Sequence, residues 1–262
     1  MRKPNVAVLR SAGTNCDQET KFAFELVGAA ADLVHMNEIL QRKKRLSSYE
    51  ILALPGGFTY GDDLGAGKIF ANEFRYKLKE QLDTFLNNGK LVIGICNGFQ
   101  ILVKSGLLPG STMFSQEASL VLNDSAKFED RWIYLRNTQS KCVWTQQLPE
   151  IIYLPVAHAE GKFVVGNQAA LEALRTNNQI VFRYCNRQGF SDVYPHNPNG
   201  SIDNIAGICD ATGRVLGLMP HPERHMFFFQ HPHWTRLPKT NEGDGLSIFR
   251  NGIEYAKKNL RS

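Results

Sequence analysis

The 262-residue sequence predicts an α/β fold, a mostly parallel sheet with helices on both faces and a β-rich insertion. Three observations predict it. Strand-length apolar runs alternate with helical patterns through the first hundred residues, the β-α-β order of parallel sheets. From about 112 to 166 the pattern turns β-rich and irregular. Further strands then follow, and an amphipathic helix closes the chain.

Val6–Leu9 reads as the first core strand. Asn15 can cap the helix behind it, with Gln18 three residues on in capping-box spacing, and Phe22 and Leu26 share one face of that helix. Ala31–His35 and Ile51–Leu54 are the next strands. One helix is predicted over 67–88, because Phe70, Phe74, Leu78, Leu82 and Phe85 recur at steps of four, four, four and three. Asn87-Asn88-Gly89 ends it with a glycine suited to the left-handed cap. Leu91–Ile95 is a buried strand, and Trp132-Ile133-Tyr134-Leu135 marks the β-rich insertion. Ile180–Cys185, Ile205–Cys209 and Val215–Met219 are later strands, with Asp210-Ala211-Thr212-Gly213-Arg214 as a hairpin turn. Leu246, Ile248, Phe249, Ile253, Ala256 and Leu260 form the apolar face of the last helix. With no repeat, low-complexity tract or linker, residues 1–262 read as a single domain.

Composition narrows the function classes. At 43% hydrophobic and 21% charged, the chain is too apolar for disorder. No window approaches the ~18 uninterrupted apolar residues of a membrane span. Met1-Arg2-Lys3-Pro4-Asn5 is basic, but Val6–Leu9 is too short a core for a signal peptide, so a cytoplasmic protein is expected. Cys16, Cys96, Cys142, Cys185 and Cys209 are odd in number and show no CxxC spacing, which argues against a disulfide framework or a zinc ribbon. The net charge is +5, yet the dense basic run is confined to Arg42-Lys43-Lys44-Arg45, which reads as a solvated turn. No nucleic-acid partner is expected.

The strongest local signal is Leu91-Val92-Ile93-Gly94-Ile95-Cys96-Asn97-Gly98-Phe99-Gln100. It runs from a buried strand into an apolar helix with a cysteine at the junction and glycines two residues either side. This is a cysteine version of the nucleophile elbow. A sharp strand-to-helix turn crowds the i−2 and i+2 neighbours, and a helix N-terminus favours the reactive thiolate. The Asn97 N–H would point at a developing oxyanion. The structural alternative is a buried cysteine between glycines, and the placement between strand and helix favours catalysis.

A cysteine nucleophile needs a base and an orienting group. Two His-x-Glu pairs are available, His158-Ala159-Glu160 and His221-Pro222-Glu223. The second follows a core strand and is stiffened by Pro220 and Pro222, which ranks it first. Leu54-Pro55-Gly56-Gly57-Phe58-Thr59-Tyr60-Gly61-Asp62 follows a strand too, so its backbone lands on the same sheet edge and can offer a second oxyanion donor. Gly65-Ala66-Gly67-Lys68 imitates a phosphate loop but fails, with Asp62 for the first glycine and Ile69 for Ser/Thr. His225, His231 and His233 lack the spacing and companions of a metal site. Cys16, Cys142, Cys185 and Cys209 read as inert packing residues.

Together these motifs resemble the class I (triad) glutamine amidotransferases, and among them the glutaminase subunits of phosphoribosylformylglycinamidine synthases. The resemblance extends to Gly13-Thr14-Asn15-Cys16-Asp17, Ala157-His158-Ala159-Glu160-Gly161-Lys162-Phe163, Pro198-Asn199-Gly200-Ser201-Ile202-Asp203-Asn204 and Met219-Pro220-His221-Pro222-Glu223-Arg224. It implies Cys96 as nucleophile, His221 as its base and Glu223 as the group orienting His221. It further implies an oxyanion hole at Gly57, Phe58 and Asn97, a contact from Gln100 to the substrate glutamine, and no metal. Thr59 stands where the family usually has serine, and Gly65 where arginine is common, which bears on partner contacts rather than chemistry. The Phe227–Gly243 segment looks longer than in compact relatives.

The implied reaction hydrolyses glutamine through a cysteine thioester and delivers ammonia to a synthetase subunit, with a small accessory subunit as a further partner. That synthetase converts formylglycinamide ribonucleotide to formylglycinamidine ribonucleotide in de novo purine biosynthesis. The chain itself is expected to bind no cofactor, since ATP and magnesium belong to the synthetase. The competing enzyme reading is a free-standing cysteine hydrolase or peptidase on the same flavodoxin-like sheet. A non-enzymatic basic binding module is the third, resting on the Arg42–Arg45 run.

Overall fold

The computed structural model describes residues 2–110, 112, 114–190 and 193–260, so Met1 of the basic leader lies outside the described residues. The first half comprises β1 (Asn5–Arg10), α1 (Asp17–Leu26), β2 (Ala30–His35), α2 (Met36–Leu40), β3 (Ile51–Leu54), α3 (Lys68–Lys77), α4 (Lys79–Asn87), β4 (Leu91–Ile95) and α5 (Asn97–Ser105). The insertion supplies β5 (Ala118–Val121), β6 (Glu129–Asn137), β7 (Ile151–His158) and β8 (Lys162–Val165). Then come α6 (Gln168–Thr176), β9 (Ile180–Cys185), β10 (Ile205–Cys209), β11 (Val215–Leu218) and α7 (Leu246–Asn259).

Nine strands form one sheet in the order β2-β1-β3-β4-β11-β10-β9-β6-β7. The ladders from β2 to β11 are parallel, and those from β11 to β7 are antiparallel. The insertion therefore lengthens the central sheet through β6 and β7, while β5 and β8 pair as a separate ribbon. The chain steps from β1 to β2 in one direction and from β3 to β4 in the other. Right-handed crossovers then put the intervening helices on opposite faces. Accordingly α1 packs with α7, and α3 with α5. The reversal between β1 and β3 makes the crevice beyond their carboxyl ends the natural ligand site.

β3 and β4 are buried along their whole length, as unbroken apolar runs covered on both faces must be. Two expectations are corrected. The helix predicted over 67–88 is two helices, because Leu78 (φ −116°, ψ 5°) leaves helical geometry while its side chain stays buried. The apolar spacing survives the break, so periodicity alone could not reveal it. α1 starts one residue later than a cap at Asn15 requires, since the Cys16 N–H bonds to the Gly56 carbonyl and Cys16 takes the cap position with no side-chain cap bond. Phe22 and Leu26 are largely exposed, and the buried face of α1 is Asp17, Thr20, Ala23 and Phe24. Phe22 meets Phe227 instead, at 6.2 Å between ring centroids. The Arg42–Arg45 segment is a surface turn, with Arg42 in the left-handed region at φ 57°.

Candidate active site

Cys96 joins β4 to α5 with φ 50° and ψ −105°, a conformation that side chains rarely adopt. Packing explains why the chain accepts it. A Cβ on Gly98 would stand 1.9 Å from the Leu54 carbonyl oxygen, and one on Gly94 would stand 2.6 Å from the Gly98 oxygen. The helix is thus pressed against β3 and β4 at the elbow, at a distance that only glycine permits. Gly98→Ala should cost about 3 kcal/mol of unfolding free energy, the upper end of the usual overpacking range, because backbone rather than a side chain must yield. A denaturant midpoint within a few tenths molar of the parent protein would refute this.

β11 lies beside β4, and this pairing delivers His221 to the elbow. The Cys96 N–H donates to the Leu218 carbonyl at 2.8 Å. His221 Nδ1 lies 2.6 Å from Glu223 Oε1 across a single turn, and both residues are buried. His221 Nε2 and Glu223 Oε2 make no hydrogen bond among the described residues. Burial opposes charge on the His221 ring, but the Glu223 carboxylate and the Cys96 and Cys16 sulfurs outweigh it and hold its pKa well above the usual histidine range. The ring is therefore poised to carry a proton beside the Cys96 sulfur.

The edge strand β7 crosses this constellation. The Cys96 thiol donates to the Ala157 carbonyl at 3.6 Å, the His221 N–H to Pro155 at 2.8 Å, and His225 Nδ1 lies 2.7 Å from the Tyr153 carbonyl. Alternate carbonyls of one strand thereby meet nucleophile, base and the segment beyond.

The Gly56-Gly57 turn follows β3 as the sequence implies. Phe58 N–H donates to the Gly13 carbonyl at 2.9 Å, so it is already committed in this conformation. Gly57 (φ 143°) and Asn97 keep N–H groups that take no acceptor among the described residues. Thr59 fixes the turn to the elbow, its N–H and hydroxyl donating to Asn97 Oδ1 at 3.2 and 2.7 Å. Threonine thus supplies the hydroxyl that serine would. Gln100 Nε2 donates to the Glu160 carbonyl at 2.7 Å, and its Oε1 accepts from Asn97 Nδ2 at 2.9 Å. Gln100 is buried and ties the elbow helix to the segment after β7.

The second His-x-Glu pair does not form a dyad. His158 Nδ1 lies 3.1 Å from Asn123 Oδ1, whereas Glu160 accepts from Lys104 Nζ at 3.1 Å and from the Ala66 N–H. Burial, with nearby His221 adding to it, pushes the His158 pKa down to about 3. Unfolded, this ring binds a proton below about pH 6.5; folded, it stays neutral until about 3. Its contribution to stability is therefore present above 6.5 and lost as pH falls toward 3, on the order of 4–5 kcal/mol in total. Unfolding free energies of His158→Gln and the parent should converge across that window, and parallel curves would refute the assignment.

Sequence reasoning misses Cys16. Far from inert packing, its sulfur lies against the His221 ring: a Cβ on Gly56 would sit 3.1 Å from Cys16 Sγ and 2.8 Å from His221 Cε1. Arg224 Nη2 donates to that sulfur at 3.1 Å and Arg224 Nε to Glu19 Oε1 at 3.0 Å. The signal available is position, since Gly13–Cys16 follows β1 onto the same sheet edge as the other two turns. His225, His231 and His233 stack with one another and with Trp132 and Tyr153, with His225 and His231 5.8 Å apart at their centroids.

Comparison with known proteins places the chain in a family. The family model described as a CobB/CobQ-like glutamine amidotransferase domain matches residues 3–256. The phosphoribosylformylglycinamidine synthase subunit PurQ of Dehalococcoides mccartyi is 48% identical over 98% of this chain and 100% of its own length. The chain belongs to this family of glutamine amidotransferases. The PurQ subunit of Methanococcus maripaludis is 40% identical over 97% of this chain and 98% of its own. Among solved structures, PurLQS from Thermotoga maritima superposes with a TM-score of 0.74 at 32% identity, covering 97% of this chain and 99% of that one. A glutamine amidotransferase from Thermotoga maritima shares the fold at 16% identity and a TM-score of 0.54, covering 100% of this chain and 87% of that one. Among the described residues, no helix is long and apolar enough to cross a membrane.

Proposed function

We propose that this chain is the glutamine-hydrolysing subunit of a phosphoribosylformylglycinamidine synthase, acting in purine biosynthesis beside a synthetase subunit. The observation that carries the reading is near-full-length likeness to subunits of that name, on a chain that places Cys96, His221 and Glu223 together. Cys96 attacks the side-chain amide carbon of glutamine, and the Gly57 and Asn97 N–H groups receive the oxyanion. His221 gives its proton to the leaving nitrogen, ammonia departs, and a glutamyl thioester remains. His221 then takes a proton from water as the water attacks the thioester, and glutamate and the free thiol are released. Glu223 holds the ring in register and stabilises its charged form.

Ammonia passes to the synthetase subunit, which we assign the ATP and magnesium needed to activate the formamide oxygen. The compartment that fits this chemistry is the cytoplasm, and a small accessory subunit completes the assembly. Peptide mapping after treatment with a glutamine-mimicking electrophile tests the reading. Labelling of Cys96 that free glutamine blocks, in the presence of the synthetase subunit, is the expected result. Labelling indifferent to glutamine, with hydrolysis of peptides or esters instead, would favour a general cysteine hydrolase.

A further inference from the structure

Beside His221 and Glu223 of the proposed triad stand two further donors, Cys16 and Glu19, that the hydrolysis of glutamine does not use. Cys16, Glu19, His221 and Glu223 each present a ligand atom, and these atoms all lie within 4.8 Å of one another. Three of the four residues are buried. A tetrahedral zinc site holds sulfur, nitrogen and oxygen at about 2.0–2.3 Å from the metal, so its donors are spaced at roughly 3.3–3.8 Å. The cluster needs to contract by only about an ångström to reach that spacing. A second observation points the same way. Glu223 is 1% exposed, yet its Oε2 makes no hydrogen bond among the described residues. An unused carboxylate lone pair in a dry site is costly unless something arrives to take it.

We propose that Cys16, Glu19, His221 and Glu223 form an inhibitory site for a borderline-soft divalent cation, zinc being the best match to its sulfur, imidazole and carboxylate donors. Binding displaces the thiol proton of Cys16 and occupies a nitrogen of His221, so metal and catalysis exclude each other. The inference deepens the glutaminase reading, because inhibition requires His221 to be the base. Arg224 opposes the cation directly, 3.1 Å from Cys16 Sγ and 3.0 Å from Glu19 Oε1. It is 36% exposed and can swing outward, which makes it a gate on affinity.

Cobalt(II) is the probe, because a thiolate ligand gives it a near-ultraviolet charge-transfer band that needs no enzymatic activity to read. Titration of the full chain should produce the band in the parent and in Cys96→Ser, and not in Cys16→Ser. Glu19→Gln should weaken cobalt binding by at least about tenfold, the loss that even an outer partner of a metal ligand causes. Arg224→Ala should tighten it. Circular dichroism checks the fold of each variant, and Glu19→Gln carries the test if Cys16→Ser does not fold. A band that survives Cys16→Ser, disappears in Cys96→Ser or never forms in the parent overturns the proposal. In the complex with its synthetase, zinc should suppress glutamine-dependent synthesis, a chelator should restore it, and Glu19→Gln should resist it. If that complex hydrolyses no glutamine while the cobalt series behaves as described, the functional reading fails and the metal site stands.

Discussion

Cys96→Ala will abolish glutamine-dependent synthesis by the assembled complex while leaving synthesis from added ammonia close to the parent rate. The expected loss is at least about 10⁴-fold, because removing the nucleophile of a nucleophile–base pair removes nearly all covalent catalysis. The ammonia arm separates chemistry from collapse. Cys96 is buried at a strained junction, where its sulfur meets the Ala157 carbonyl and the His221 ring. Parallel loss of both activities would mean that Cys96 is structural, and retention of both would mean that another group attacks glutamine.

Glu223→Gln should follow, at about 10³–10⁴-fold, the scale of amide-for-carboxylate exchange in such triads. The physical reason is visible in the 2.6 Å contact to His221 Nδ1. An amide nitrogen turned toward Nδ1 would make it an acceptor and put the ring proton on Nε2, the wrong tautomer for taking a proton from sulfur or water. The substitution also removes the strongest influence raising the proton affinity of His221, so burial is left to lower it. The midpoint of the His221 ring, followed by nuclear magnetic resonance, should shift to lower pH. The pairing stabilises the folded state below about pH 6.5 and fades as pH rises through the elevated folded pKa, a window that Glu223→Gln should erase. An unmoved midpoint with normal turnover would remove Glu223 from the machinery.

Much of this architecture is legible in the sequence because strands buried on both faces must be continuously apolar. Ile51–Leu54 and Leu91–Ile95 are found to the residue for that reason. The elbow is legible because Gly94 and Gly98 answer to backbone contacts that leave no choice of side chain. Helix boundaries are less so. Leu78 keeps its place in an apolar stripe whether or not the helix breaks there, and Asn15 looks like a cap until Gly56 claims the neighbouring amide. Cys16 escapes a sequence reading for a related reason: its importance comes from a turn after β1 closing on a turn after β3, a contact of residues 40 apart in sequence. The commitment of Phe58 to Gly13 and of Gln100 to Glu160 is likewise tertiary, and local pattern carries no trace of it.

The outer edge of β7 has a consequence for how this protein tolerates change. Exposed strand edges are usually a hazard to be blunted. Here the row of carbonyls at 153, 155 and 157 is a ruler against which His225, His221 and Cys96 are all measured. Carbonyls on a strand alternate in direction, so the ruler has a two-residue pitch. Adding or deleting one residue within β7 itself, and so shifting these positions against β6, would turn every mark beyond it the wrong way. Side chains at Pro155 and Ala157 can vary within the limits of packing, whereas the number of residues along the strand cannot. A lineage could thus lose its glutaminase through an indel that leaves Cys96, His221 and Glu223 in place.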